Sequence, residues 1–347
     1  RQTWTDNKEK LNWQLVSNSV DYEMLCYFYR GMPPANQERI EEINDSICKR
    51  YRSCFIKRKS IEYGKLIAQE IIEWSKTDGG DKSFEDNYPE SFAPPKGISK
   101  WTKTTPGYLP SLLPYWGNNR PFLKGSAAET ADCKVFEFSI DSSSFMYKEA
   151  LLVLENSKLT DPKYEAIAEY WDDGAGYSGT PSGHFFTMAM QLTKKENVPL
   201  DKSLELYVKL GVAVNEAFIE AFKLKYTYNL IRPISYIQRY IDPQFNTRIA
   251  SPPFPEFPSG HSFQSGAATE VMKSVFGDEI EIIDSTHVGR TDIDGSPRRY
   301  SSLTEMSEEI SISRLYGGIH FKETLDLSLS FGRKIGRFVS NTLNCRK

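Results

Sequence analysis

The sequence predicts a mainly α protein, and three observations carry that expectation. Apolar residues recur with a helical period beyond Tyr147, few segments alternate as strands would, and nothing repeats at a fixed interval. In chain order, Ser60–Trp74 reads as a helix with Ile67, Ile71 and Trp74 on one face and Gly79-Gly80 after it. Lys76–Gly125 has no helical period and holds Pro89, Pro94, Pro95, Pro106, Pro110, Pro114 and Pro121; such a segment is expected to be functional or packed across a surface. A boundary near Asp141–Ser144 separates an N-terminal helical region, 1–143, from a catalytic helical bundle, 144–347.

With 347 residues, 39% hydrophobic and 26% charged, the composition is that of an ordinary soluble globular protein. A net charge of −3 without a dense run of Lys and Arg gives no sign of nucleic-acid binding. No apolar run approaches the roughly 18 residues of a membrane helix; Leu204–Ala221, for example, is broken by Lys209, Asn215 and Glu216. Arg1 in place of Met suggests a removed N-terminal segment, hence an expected secreted or periplasmic protein. Cys26, Cys48, Cys54, Cys133 and Cys345 form no CxxC pattern, and their odd number leaves at least one without an intramolecular partner.

Chemistry enters through the direction in which charged residues point. In a helix from about Lys202 to Tyr228, Lys225 is in register with Phe222, Ala221, Phe218, Val214 and Leu210, whereas Lys223 lines up with Glu220 and Glu216, a face expected to be solvated. Arg232 precedes Pro233, which biases it away from helical geometry. Ser302-Leu303-Thr304-Glu305 reads as a capping box, and Arg314 continues the apolar stripe of Leu303, Met306 and Ile310. Gly317-Gly318 then allow a bend before His320. Between these segments, Pro255-Glu256-Phe257-Pro258-Ser259-Gly260-His261 forms a turn, and Ser262–Phe276 follows as a helix ended by Gly277. Ser259 and Gly260 thus sit at a helix N-terminus, where N–H groups and the dipole attract anions.

Each piece has an ordinary alternative. Lys225 could snorkel, Arg314 could pair with a carboxylate such as Asp173, Ser259-Gly260 could be a helix cap, and a lone histidine such as His320 is usually structural. Pro-Ser-Gly-His also occurs twice, at Pro181–His184 and Pro258–His261. The combination is harder to explain away: three cations, two on apolar stripes, with a helix-terminal turn and two histidines, call for a highly charged tetrahedral oxyanion.

Lys225-x6-Arg232-Pro233, Pro258-Ser259-Gly260-His261 and Ser313-Arg314-x5-His320 together resemble the signature of vanadium-dependent haloperoxidases, which type-2 phosphatidic acid phosphatases and acid phosphatases share. The resemblance covers about the second half of the chain and implies the helical bundle of that superfamily. Pro252-Pro253-Phe254-Pro255-Glu256-Phe257 is similar to a run in fungal chloroperoxidases, and Ser313–Phe321 looks like bacterial haloperoxidase-like proteins. Tyr170-Trp171-Asp172-Asp173-Gly174 resembles a segment whose aspartate supports the anion-binding arginine, implying an Asp173–Arg314 pair.

That resemblance implies vanadate, or phosphate in its place, held by Lys225, Arg232, Ser259, Gly260 and Arg314. His320 would bond vanadium, His261 would act as acid–base on the opposite side, and Lys225 would assist catalysis by hydrogen-bonding a peroxide oxygen. Hydrogen peroxide and a halide would be the substrates, iodide being the easiest to oxidise, and a small organic acceptor could receive the halogen. In the phosphatase alternative, His320 attacks phosphorus and His261 protonates the leaving group; a non-catalytic phosphate-binding module is the third reading. Phe254 stands where algal bromoperoxidases have a histidine, and Phe222 where many relatives have tryptophan, so both touch the expected halide pocket. His184 is expected either beside that pocket or as part of a helix cap, and His287 in a solvated polar loop.

Overall fold

Helical period in the sequence becomes helix in the structure, a computed structural model that describes residues 11–52, 54–83 and 85–343, with the backbone alone of Cys54. Arg1, Cys345 and the Cys54 side chain lie outside the described residues, among which Cys26, Cys48 and Cys133 are free thiols. By packing, the chain divides into residues up to Glu85 and residues from Asp86 onward.

The first unit holds α1 (Trp13–Phe28), α2 (Pro34–Lys49) and α3 (Cys54–Ser75). Helix α3 occupies the expected place, but its buried face is Ser60, Gly64 and Ala68 rather than Ile67, Ile71 and Trp74. The reason is closeness: a Cβ at Gly64 would lie 2.5 Å from the Val16 carbonyl oxygen, so only small residues fit where α1 crosses.

The second unit holds α4 (Phe145–Ser157), α5 (Pro162–Tyr170), α6 (Thr180–Lys195), α7 (Leu200–Tyr228), α8 (Pro233–Tyr240), α9 (Gly260–Phe276), α10 (Leu303–Tyr316) and α11 (Lys322–Thr342). A two-stranded antiparallel ladder, β1 (Ile282–Asp284) with β2 (Arg298–Tyr300), links α9 to α10. Helix α9 is packed by α7, α10 and α11, and its Phe263, Ala267, Ala268 and Val271 are fully buried. Its contact with α11 is nearly backbone to backbone. A Cβ at Gly332 would lie 2.0 Å from the Phe263 carbonyl oxygen, and one at Gly266 2.5 Å from that of Leu329. Glycine on both helices therefore locks the first turns of α9, where functional residues gather, against the middle of α11.

The expected boundary near Asp141–Ser144 falls just ahead of α4, inside this second unit. Residues 86–143, which include most of the proline-rich segment, carry short 3-10 turns at Trp116–Asn118 and Ser126–Thr130 that lie across α7. A Cβ at Gly117 would lie 2.4 Å from Lys223 Cα. This covering segment corrects the expectation of a solvated α7 face: Glu216 and Glu220 are buried. Glu216 accepts from the Phe122 and Leu123 N–H groups and from Ser126 Oγ, and Glu220 accepts from Thr130 Oγ1. Lys223 itself is exposed and meets Glu220 at 3.8 Å.

Candidate active site

Helix α7 ends where Asn229 turns left-handed (φ 53°) and donates its N–H to the Lys225 carbonyl. Lys225 is completely buried, as its register predicts, and its ammonium donates to the carbonyls of Pro255 (3.0 Å), Glu256 (3.2 Å) and Pro258. Those acceptors belong to the loop entering α9, so the lysine fixes that loop. Burial, then Arg232, hold the Lys225 pKa well below its usual value.

Arg232 leaves helical geometry, as Pro233 requires, and stands at the N-cap of α8 with φ −74° and ψ 151°. Its Nε donates to the Phe254 carbonyl and its Nη1 to that of Ile319, both at 2.9 Å, while Nη1 lies 3.2 Å from His320 Nε2. Its Nη2 is buried with no partner. Phe254 lies under both cations, with its ring centroid 4.6 Å from Lys225 Nζ and 5.0 Å from Arg232 Cζ, and packs edge-on against Phe222 at 5.4 Å.

Gly318 adopts φ 81° after α10 and delivers His320 to the entrance of α11. His320 Nδ1 lies 2.8 Å from Glu256 Oε1, and Glu256 also accepts from the Phe321 N–H (3.1 Å) and Thr324 Oγ1 (2.9 Å). Glu256 is fully buried, and burial pushes its carboxyl up to about 7 against the pull of Arg232 and Lys225. The carboxylate places the proton of neutral His320 on Nδ1 and leaves the lone pair on Nε2, where it accepts from Arg232 Nη1. Burial and then Arg232, Lys225, Arg314 and His261 push the His320 pKa well below 6.5, so the separate sequence segments converge on this ring.

At the start of α9, Ser259 is the N-cap, and its Oγ accepts from the Ser262 N–H at 3.3 Å. Gly260, at the first helical position, has an N–H with no acceptor inside its own helix, and a Cβ there would meet nothing within 4 Å. His261 follows, half-buried, with Nε2 enclosed and unpartnered. Burial and Arg314 lower its pKa to about 3, against the opposing pull of Asp173 and the backbone of Asp172 and Trp171.

Arg314 lies on the buried stripe with Leu303, Met306 and Ile310. Its Nε donates to Ser313 Oγ and its Nη2 to the Ala168 carbonyl, each at 2.9 Å. The expected Asp173–Arg314 pair is corrected here: Arg314 Nη1 faces Asp172 at 3.6 Å. Asp173 adopts φ 50°, and that turn sends adjacent carboxylates in different directions.

Asp173 instead meets two histidines. His184 Nδ1 lies 3.0 Å from both Asp173 oxygens, and its Nε2 lies 2.8 Å from Asp284 Oδ2. His287 Nε2 lies 2.9 Å from the Tyr170 carbonyl and 3.5 Å from Asp173 Oδ1. His287 is therefore buried rather than solvated, and His184 is a core residue of α6 rather than a cap or a pocket wall. Burial opposes its charge, but Asp173 and Asp284 raise the His184 pKa to about 9. Asp173 is lowered, because the hydrogen bonds from His184 and His287 outweigh its burial. The ligand atoms of Asp173, His184 and His287 lie within 4.8 Å of one another, close enough for one cation. However, His287 Nε2 points its proton at a backbone carbonyl, so the cluster satisfies itself by hydrogen bonds.

The residues converging on His320 fit a tetrahedral oxyanion on three observations. Lys225, Arg232 and Arg314 are buried together, Arg232 Nη2 and His261 Nε2 lack partners, and a Cβ at Gly260 would meet open space. Glu256 is the functional residue the sequence reading missed; its one visible signal was a carboxylate inside a Pro- and Phe-rich run.

Residues 240–345 match a family model, the second helical-bundle domain of VCPO. The chain is similar to the crystal structure of the first bacterial vanadium-dependent iodoperoxidase, with 32% identity and a TM-score of 0.84, covering 98% of this chain and 81% of that one. It also matches a bacterial vanadium-dependent chloroperoxidase in holo form (14% identity, TM-score 0.72, covering 94% of this chain and 81% of that one). The apo form gives 14% identity and a TM-score of 0.71, covering 94% and 83%. At that identity, the chloroperoxidase likeness is one of fold. No curated protein matches.

Proposed function

The chain belongs to the vanadium-dependent haloperoxidases, and from that premise we propose that it oxidises halide, iodide foremost, with hydrogen peroxide. In this reading vanadate is held by Lys225, Arg232, Ser259, Gly260, Arg314 and His320. The observation that carries the proposal is the orientation of His320: Glu256 holds its Nδ1 at 2.8 Å, so the Nε2 lone pair faces the buried cations, where it meets only Arg232 Nη1 at 3.2 Å. Bound vanadate supplies a Lewis-acid centre that polarises the O–O bond of peroxide.

The chain's own residues do the rest. Lys225, Arg232 and Arg314 balance the oxyanion's charge, Ser259 and the Gly260 N–H donate to its oxygens, and Arg232 Nη2 gains the partner it lacks. His261, neutral because burial and Arg314 lower its pKa, can take a proton from peroxide at Nε2 and return it as water leaves. The sum is H2O2 + I− + H+ → HOI + H2O, so one proton is consumed per turnover. Phe254 and Phe222 offer a polarisable wall beside the cations, which suits a large, weakly hydrated anion and favours iodide over the smaller halides.

The test is an assay of the apo protein reconstituted with orthovanadate, run with iodide, bromide and chloride plus hydrogen peroxide, beside p-nitrophenyl phosphate hydrolysis. Vanadate-dependent iodide oxidation exceeding that of bromide is the expected outcome. Robust phosphate-ester turnover with no halide oxidation would overturn the proposal in favour of the phosphohistidine reading.

A further inference from the structure

Behind Ser259 lies a short chain of hydroxyls that the proposed reaction has not used. Ser262, on α9, and Ser311, on α10, are buried with Ser259. Ser311 Oγ donates to Ser262 Oγ at 2.8 Å, and Ser262 Oγ donates to Ser259 Oγ at 3.0 Å. The other acceptor within reach of Ser311, the Leu325 carbonyl, is at 3.5 Å and is the weaker. Ser259 Oγ also accepts from the Ser262 N–H at 3.3 Å.

A hydroxyl has one proton and two lone pairs. With both lone pairs of Ser259 occupied, its one remaining capacity is to donate. Among the described residues its hydroxyl donates to no protein acceptor, and the side chain is sealed from solvent. We propose that Ser262, backed by Ser311, is a positioning residue that fixes the Ser259 hydroxyl as a donor to the bound oxyanion. The proposal rests on the anion-site reading above. An alanine at 262 would leave one lone pair of Ser259 open and its hydroxyl free to rotate, and would remove the polarisation that donors into an oxygen give to its proton.

A double-mutant cycle tests this on the apo protein. Orthovanadate and, separately, inorganic phosphate are titrated calorimetrically into wild type, Ser259→Ala, Ser262→Ala and the double variant, with melting curves as the folding check. Ser262→Ala is expected to raise the vanadate Kd about fivefold, the worth of one ordinary hydrogen bond. In the Ser259→Ala background it is expected to change nothing. Ser262→Cys, a weak donor, should fall between, and Ser311→Ala should show the same pattern at smaller amplitude. Equal weakening by Ser262→Ala in both backgrounds, or none in wild type, would overturn the proposal. If wild type binds phosphate but not vanadate, the cofactor assignment falls and the cycle is read with phosphate. If it binds neither, both proposals fall.

Discussion

Pro-Ser-Gly-His occurs twice in this chain, each time at the start of a helix, and the two copies have opposite electrostatics. In α9 the tetrapeptide straddles the helix start: Ser259 is the N-cap and His261 the second helical residue, beside Arg314 and without a partner at Nε2. In α6 the helix begins at Thr180, so Pro181 is already inside the first turn and His184 lies one turn deeper, between Asp173 and Asp284. One imidazole is lowered to about 3 and kept neutral, and the other is raised to about 9 and kept charged. A motif therefore carries no chemistry of its own. Its offset from the helix start decides which N–H groups stay free, and the charges brought by other elements decide the protonation state.

The contrast can be broken by removing each histidine. His261→Ala is expected to lower vanadate-dependent kcat by roughly 10²–10⁴ while leaving the melting temperature nearly unchanged, as steady-state kinetics and calorimetry would read. Unchanged kcat would end its acid–base role. His184→Ala should do the reverse and destabilise the fold by about 3–5 kcal/mol, since it leaves two buried carboxylates without their cation.

The sign of the pH dependence follows from the same pair. A histidine raised from 6.5 to about 9 contributes its full stability below 6.5 and loses it as pH rises through 9. The depressed Asp173 and Asp284 act at the other end, contributing above the ordinary carboxylate value of 3.8 and losing stability only in stronger acid. Denaturant melts of the apo protein should therefore weaken by about 2–3 kcal/mol between pH 6.5 and pH 9, and His184→Gln should flatten that slope. A slope that survives the substitution would assign it to other groups.

Smaller effects sharpen the picture. Glu256→Ala should weaken vanadate binding about 10- to 100-fold by freeing the His320 ring, read as a calorimetric Kd; an unchanged Kd would remove Glu256 from the site. Lys223→Ala should cost less than about 0.5 kcal/mol and leave turnover intact, in contrast to its buried neighbour Lys225.

Helical register made much of this legible. It separates Lys225 from Lys223 and puts Arg314 on the stripe of Leu303, Met306 and Ile310, because burial on a helix follows a fixed angular step. Register names a face but not what covers it. Glu216 and Glu220 read as solvated, yet they are capped by residues 122–130, a segment with no period of its own. The choice between Asp172 and Asp173 for Arg314 turned on one left-handed residue, and Glu256 lay in a proline-rich run where no periodicity marks a direction. His287 sits among polar neighbours, but ring contacts with Tyr170 and His184 bury it.

The most direct measurement is a crystal of the protein soaked in orthovanadate, with vanadium located by its anomalous scattering. The account predicts one vanadium peak, within bonding distance of His320 Nε2 and flanked by Arg232, Arg314 and the Gly260 N–H. A peak at Asp173, His184 and His287 instead, or none near His320, would contradict it.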